Sequence, residues 1–123
     1  MRGDPTISAA PIVFFDIAGP DLASQRSFYA EVFGWESAPT GHVSAPVQSP
    51  RLNGFLRTDP ADCVIYFGVP DVTETLAKVI AAGGAINAPR FEVKGVVVLG
   101  LFSDPAGNRL GLVEMDGDQP KNP

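Results

Sequence analysis

Few side chains in this sequence could carry metal or nucleophilic chemistry. Histidine and cysteine are frequent zinc ligands and frequent nucleophiles or bases, and the chain has one of each, His42 and Cys63. A single cysteine excludes an intrachain disulfide and a zinc site made of several thiolates. His42 follows Gly41 where a loop passes into a predicted strand, which favours a solvent-facing or hydrogen-bonded imidazole over a metal ligand. Cys63 stands in an apolar run, so we expect a buried, unreactive thiol.

The composition is that of a single globular domain. Of 123 residues, 45% are apolar and 19% charged, and the net charge is −5. The basic residues are scattered from Arg2 to Lys121, which argues against a nucleic-acid partner because phosphates demand a basic surface. No apolar stretch approaches the roughly 18 residues of a membrane span, and the first residues lack the apolar core of a signal peptide. We therefore expect a cytoplasmic protein with no membrane partner.

An internal repeat predicts the elements that would position any site. Residues 13–36 and 63–86 come into register when the chain is shifted by fifty positions. Under this shift Pro20-Asp21 falls on Pro70-Asp71, Leu22 on Val72, and Gly34 on Gly84. Each copy reads as an apolar strand, then a helix capped by an aspartate, then a glycine that ends the helix. Asp71 with Glu74 also resembles a capping box.

Further strands are predicted after each helix. In the second copy they span residues 85–93, 96–103 and 110–115, with a turn at 104–108. In the first copy they are weaker and span residues 35–38, 42–47 and 54–57. Two βαβββ modules predict an α+β fold in which a mixed sheet forms a partly open barrel. We expect one domain over residues 11–115, with modules at about 11–58 and 62–115 and flexible termini at 1–10 and 116–123.

Three segments carry a resemblance to a known superfamily: FFDIAGPDLASQRSFYAEVFGW, YFGVPDVTETLAKVIAAGG and SDPAGNRLGLVE. They resemble the two strand–helix signatures and the closing hairpin of the glyoxalase/bleomycin-resistance/dioxygenase (vicinal oxygen chelate) superfamily. The resemblance covers residues 11–115. It implies the barrel fold and a small-molecule cup, the concave face of the sheet, but no single activity, because this scaffold hosts many chemistries.

The resemblance also implies where a metal would bind. Enzymes of the superfamily hold a divalent metal with side chains from the first and last strands of each module. Here the equivalent positions are Phe14, Arg57, Val64 and Glu114. Only Glu114 could ligate a metal, and a catalytic metal needs about three protein ligands. Asp16 could substitute only if the strand register shifted. We therefore expect that the metal site is lost and that no cofactor is bound.

Strand alternation divides the side chains between the cup and the face covered by the helices, once Phe14 is placed in the cup. The helix-covered face receives Phe15, Ile17, Leu56, Ile65, Phe67 and Val113. The cup receives Phe14, Asp16, Phe55, Arg57, Val64, Tyr66, Leu112 and Glu114. Aromatic walls with a few polar groups are typical of a ligand pocket. We predict that the ligand contacts Phe14, Asp16, Phe55, Arg57, Tyr66 and Glu114.

Two functional hypotheses follow. In the first, the protein binds a small molecule without a metal, with Arg57 pairing an anionic group and the aromatic rings packing against its body. In the second, it is a metal-dependent lyase, isomerase or dioxygenase that uses Glu114. Two alternatives to these stay open. In one, Arg57 fills a collapsed site by pairing with Glu114 or Asp16. In the other, the chain is an accessory module that acts through its dimer surface.

The aromatic residues of the first helix bear on self-association. Phe28, Tyr29, Phe33 and Trp35 lie on or beside this helix, where packing in the core is the default for aromatic side chains. An exposed share of them would serve a dimer interface. We expect a homodimer.

Overall fold

The computed structural model describes residues 9–46 and 52–123, and this part of the chain has an α+β fold with two helices and eight β-strands. The elements are β1 (Ile12–Gly19), α1 (Leu22–Phe33), β2 (His42–Ala45), β3 (Leu52–Thr58), β4 (Asp62–Val69), α2 (Val72–Ala81), β5 (Ala85–Val93), β6 (Val97–Ser103), β7 (Arg109–Asp116) and β8 (Gln119–Pro120). In this part of the chain no helix is long and apolar enough to cross a membrane. The cytoplasmic location stays a prediction.

The chain divides into two compact units. The first unit lies within Val13–Tyr66, and the second unit comprises Phe67–Pro123 with the described residues 9–12. The single domain expected over residues 11–115 stays a prediction. Positions 1–8 of the predicted flexible N-terminus lie outside the described residues.

In the first unit, β3 pairs with β1 in parallel and with β2 in antiparallel orientation. Its core consists of Phe15, Val43, Ala45 and Leu56, and the partly buried side chains of Leu22 and Tyr29 on α1 pack against this core. The Phe15 ring occupies the space above Gly54, where any side chain would overlap it. Glycine is therefore required at this position of β3 for the close approach of the ring.

In the second unit, β5, β6 and β7 form an antiparallel meander. Val72 and Leu76 on α2 pack with Val69 and Leu112 into a second core. The helix lies close to β6 because Gly100 has no side chain: a Cβ there would come within 2.6 Å of Val72 Cγ1.

Both helices begin as the repeat predicts, and α1 also ends at the predicted glycine, whereas α2 ends at Ala81 with Ala82 as its C-cap. The Asp21 carboxylate accepts from the Ser24 backbone N–H, and the Asp71 carboxylate accepts from the Glu74 N–H. α1 ends at Gly34, which has a φ of 71°, and the chain leaves α2 through Gly83, which has a φ of 97°. Glycine adopts this left-handed conformation without strain.

The weak strands of the first copy are confirmed only in part. Residues 35–38 contribute one isolated bridge, between Ser37 and Val43, instead of a strand. Trp35 is held there by its ring, which stacks on Tyr29 at 5.3 Å and contacts Phe15 at 5.5 Å. The strand predicted for residues 42–47 is β2, and Val47 lies outside the described residues.

The chain after Asp116, which we expected to be a flexible terminus, forms a short hairpin. Gly117 turns the chain with a φ of 68°, and β8 pairs with the end of β7. The Lys121 backbone N–H then donates to the Glu114 carbonyl oxygen over 2.8 Å.

Candidate functional site

Three aromatic rings meet on β1, β3 and β4 of the first unit. The Phe14 ring lies edge-on to Phe55 at 5.7 Å and to Tyr66 at 5.5 Å between ring centroids. His42 on β2 extends the group, with its imidazole perpendicular to the Phe55 ring at 5.8 Å. Phe55 is 39% exposed, so the group presents part of its apolar surface to solvent. We call Phe14, Phe55 and Tyr66 the aromatic group.

Arg57 lies two residues after Phe55, and each of its three guanidinium nitrogens donates a hydrogen bond to a different carboxylate. Nε donates to Asp16, Nη1 to Asp59 over 2.7 Å, and Nη2 to Asp62 over 3.3 Å. The Arg57 side chain is 29% exposed and that of Asp16 only 7% exposed. Three negative charges therefore surround one positive charge, and we call these four residues the acidic group.

Asp16 is the most enclosed member of the acidic group. Burial raises the pKa of its carboxyl above the ordinary value, because the charged form loses solvation. The hydrogen bond from Arg57 and its positive charge act in the opposite direction but do not cancel the effect of burial. Asp16 and Arg57 therefore depend on each other: without the guanidinium, the buried carboxylate has no compensating charge.

Glu114 lies in the second unit and is only 4% exposed. Its carboxylate accepts hydrogen bonds from three groups. It accepts from the Val72 backbone N–H over 2.9 Å, from Arg90 Nη2 over 2.9 Å and from Lys121 Nζ over 3.4 Å. The hydrogen bond from Arg90 lowers the pKa of Glu114 most, burial opposes it, and the Val72 N–H lowers it further, to about 2. This carboxylate is charged and fully engaged at neutral pH.

Comparison with known proteins shows which family the chain matches. Residues 12–113 match the family model described as a glyoxalase-like domain. The chain belongs to the glyoxalase-like domain family. The predicted superfamily and α+β fold are thereby confirmed.

Curated relatives of this glyoxalase-like domain are longer than the domain itself. The anthracycline biosynthesis protein DnrV of Streptomyces peucetius is 25% identical over an alignment 118 positions long, and the match covers 76% of this chain and 43% of DnrV. The putative glyoxylase CFP32 of Mycobacterium tuberculosis is 23% identical over an alignment 111 positions long, and the match covers 79% of this chain and 42% of CFP32. The chain therefore spans less than half the length of these relatives.

Solved structures share the fold of the glyoxalase-like domain. A methylmalonyl-CoA epimerase in complex with methylmalonyl-CoA and NH4+ has a TM-score of 0.65 at 17% identity, covering 93% of this chain and 100% of the epimerase. A variant of the Streptomyces coelicolor methylmalonyl-CoA epimerase has a TM-score of 0.64 at 18% identity, covering 93% and 99% of the two chains. Identities this low show a common fold alone.

The metal chemistry of the superfamily does not fit the donors of this glyoxalase-like domain. Phe14 and Val64 offer no ligating atom, and the cationic Arg57 repels a metal. Glu114 is already engaged by Arg90 and Lys121. Residues 9–46 and 52–123 contain no group of three histidine, cysteine or carboxylate side chains that could hold a metal ion.

The structure brings five predicted site residues together in the first unit: Phe14, Asp16, Phe55, Arg57 and Tyr66. The sixth, Glu114, belongs to the second unit. As predicted, Phe15, Ile17 and Leu56 lie on the helix-covered side of β1 and β3. Sequence reasoning missed Asp59 and Asp62, although both follow Arg57 within five residues: Asp59 lies in the turn after β3, and Asp62 begins β4. It also missed Arg90, which lies 24 residues from Glu114, and Lys121, which lies in the segment expected to be a flexible terminus.

The faces predicted for β7 are wrong. Leu112 was placed in the cup together with Glu114, but Leu112 packs in the core with α2, and Glu114 bonds the first residue of that helix. Side chains alternate along a strand, so an error of one position in register moves every side chain to the opposite face. Ile65 on β4, predicted to lie under a helix, is 39% exposed.

The prediction for Cys63 is also wrong, because its side chain is exposed. It alternates with Val64, which is 2% exposed, along β4. An apolar run does not reveal which of two alternating positions faces solvent.

Proposed function

We propose that this glyoxalase-like domain binds a small molecule at the aromatic group of the first unit and does so without a catalytic metal. The observation that carries the proposal is the partly exposed cluster of Phe14, Phe55 and Tyr66 directly beside the acidic group. Apolar and aromatic walls with a few fixed polar groups are the usual composition of a ligand site.

The charges favour a neutral or cationic ligand. Arg57, expected to pair an anionic group of the ligand, instead donates to Asp16, Asp59 and Asp62. An anion would have to compete with three carboxylates that are already in place. A cation is attracted by the excess negative charge and by the faces of the aromatic rings. We therefore propose a planar, largely apolar ligand that bears a positive charge.

The names of two curated relatives support an aromatic ligand. DnrV and DauV, from two Streptomyces strains, are anthracycline biosynthesis proteins, and both are matched along three quarters of this chain. Anthracyclines belong to the planar multi-ring compounds that the aromatic group would accommodate.

Glu114 does not support the alternative of a metal-dependent lyase, isomerase or dioxygenase. A carboxylate with a pKa of about 2 is a weak general base, and its oxygens are occupied by Arg90.

The experiment is calorimetric titration of the full chain with two planar probes of opposite charge, proflavine as the cation and 9-anthroate as the anion. We expect proflavine to bind and Phe55→Ala to weaken binding about tenfold, since aromatic contacts contribute on the order of 1 kcal/mol beyond area burial. Phe91→Ala is the matched control, because Phe91 is 38% exposed and lies in the second unit. Asp59→Asn should weaken the binding of proflavine but not the binding of 9-anthroate.

Three results would overturn the proposal: no binding of either probe, tighter binding of 9-anthroate, or equal losses from Phe55→Ala and Phe91→Ala. Metal dependence is tested on the same sample. We expect EDTA to leave both the proflavine affinity and the Tm unchanged. A Tm that falls with EDTA and is restored by a divalent metal would instead favour the enzyme hypothesis.

We also propose that the chain forms a homodimer through α1. Tyr29 and Trp35 pack against the first core, but Phe28 and Phe33 are 52% and 60% exposed, and Val32 is 56% exposed. Exposed apolar side chains that adjoin one another on a helix are typical of an interface. Sedimentation velocity should show a dimer for the wild type and a shift to monomer for Phe28→Ser. A monomeric wild type would contradict this assignment.

A further inference from the structure

A groove follows α1 in the first unit and shares no lining residue with the aromatic or the acidic group. Its volume is about 630 Å³, within the range of small-molecule pockets. Its walls include Ala23, Arg26, Ala30, Trp35 and Glu36. Alanine and serine side chains leave space along the helix, and Trp35 supplies an apolar wall.

The Arg26 guanidinium is oriented, and no carboxylate among the described residues pairs with it. Nε donates to Ser37 Oγ over 3.0 Å and Nη2 donates to the Ser37 carbonyl oxygen over 2.8 Å. A guanidinium has five N–H donors, so three remain, and the described residues provide no acceptor for them. Arg57 and Arg90, by contrast, both face carboxylates.

Such an arginine is suited to bind an anion. Both of its protein partners are neutral, so they fix the plane of the guanidinium without cancelling its charge. A planar guanidinium matches a carboxylate or a phosphate, with which it forms charge-assisted hydrogen bonds. Glu36 lines the same groove and repels a second negative charge, so a monoanion is favoured over a dianionic phosphate.

We propose that this groove is a second small-molecule site, which binds an organic monocarboxylate. The carboxylate pairs with Arg26, and the apolar part of the ligand lies against Trp35 and Ala30. This site is independent of the proposed function of the aromatic group, since the two share no residue and favour opposite charges.

The test is a titration of the ¹⁵N-labelled full chain with benzoate, followed by NMR, with benzamide and phenylphosphate as comparison probes. We expect benzoate to shift the Trp35 indole N–H and the amides of residues 26–37. Arg26→Gln should weaken benzoate about tenfold or more, as expected for the loss of charged hydrogen bonds. Arg109→Gln, an exposed arginine in the second unit, is the matched control and should change the affinity less than about twofold.

The comparison probes define the class of ligand. Benzamide has the shape of benzoate without its charge and should bind at least about tenfold more weakly. Phenylphosphate should also bind more weakly than benzoate. Glu36→Gln should reduce this difference in affinity, because it removes the negative charge that repels the phosphate. Equal affinity for benzamide, tighter binding of phenylphosphate, or shifts that leave out residues 26–37 would overturn the proposal.

Ser37→Ala keeps the test decisive if Arg26→Gln does not fold. It removes the Oγ acceptor that orients the guanidinium and leaves the charge in place. We expect a severalfold loss of benzoate affinity with the dispersion of the amide spectrum unchanged. An unchanged benzoate affinity in Ser37→Ala would contradict the role of Arg26 as an oriented anion receptor.

Discussion

The Glu114 carboxylate accepts a hydrogen bond from the backbone N–H of Val72, over 2.9 Å. Val72 is the first residue of α2, so a side chain from β7 satisfies an N–H that the helix itself cannot pair. Negative charge at a helix N-terminus is favourable, and Arg90 and Lys121 complete the environment of this carboxylate. The Glu114 carboxylate thus holds a helix, a strand and the C-terminal hairpin together.

Acid should release the stabilisation that Glu114 supplies. Its pKa is about 2 in the folded chain, below the ordinary value of 4.5, so the stabilisation is complete above pH 4.5 and is lost as the pH falls toward 2. Glu114→Gln lacks this titration. We expect the difference in unfolding free energy between wild type and Glu114→Gln to shrink by about 2–3 kcal/mol from pH 6 to pH 2, measured by urea unfolding. A difference that is independent of pH would contradict the assignment.

Removing Arg57 should destabilise the first unit through Asp16. Arg57→Met leaves a buried carboxylate without its cation, and we expect a loss of about 2–3 kcal/mol, below the value for a fully buried pair because Arg57 is partly exposed. The pKa of Asp16, already raised by burial, should rise further, so the loss should be smaller at pH 5 than at pH 7. Asp16→Asn in the Arg57→Met background should restore part of the stability. No recovery in urea unfolding would argue against coupling of the two residues.

The contact between α2 and β6 should not tolerate a methyl group. Gly100→Ala would bring its Cβ within 2.6 Å of Val72 Cγ1 and 3.3 Å of Leu76 Cδ1, and both helix residues are buried. We expect a loss of about 1–3 kcal/mol in the free energy of unfolding. Val72→Ala makes space at the same point, so the double variant should be more stable than the sum of the single losses predicts. Simple additivity in thermal unfolding would show that the methyl group is accommodated elsewhere.

Cys63 should react in the folded protein. Its side chain is exposed on β4, so a maleimide should label one thiol per chain under native conditions, at a rate close to that in urea. Cys63→Ser is the blank. If the thiol reacts only in denaturant, Cys63 is buried, as the sequence predicted, and the exposed position is contradicted.

The sequence predicted those parts of the fold that depend on local chemistry. Asp21 and Asp71 cap the two helices, and Gly34 ends the first, because a cap needs only a few neighbouring residues in the right order. Strands β5 to β7 were predicted to within one residue at each end, because glycine and proline separate long apolar runs. Residues 35–38 were misread as a strand, because the ring contacts that hold Trp35 join residues distant in sequence.

The site was predicted less well than the fold, for a physical reason. Alternation in β1 and β3 correctly separated Phe14 and Asp16 from Phe15 and Ile17. The sequence left open whether Arg57 pairs with Asp16, and it did not indicate that Asp59 and Asp62 also bind the guanidinium, because this depends on the path of the chain from β3 into β4. For Glu114 the register failed, since β7 alone does not specify which of its faces α2 covers.

The two aspartate caps bear on how a chain of this kind can diverge after an internal duplication. Each cap is nearly the same in shape, with φ/ψ of −131°/100° at Asp21 and −145°/105° at Asp71, and each serves the N–H three residues further on. Such a device constrains a handful of positions and leaves its surroundings open to change. One copy could therefore acquire an arginine within a cluster of aspartates and the other a glutamate that bonds its own helix, without either copy losing the signal that starts its helix.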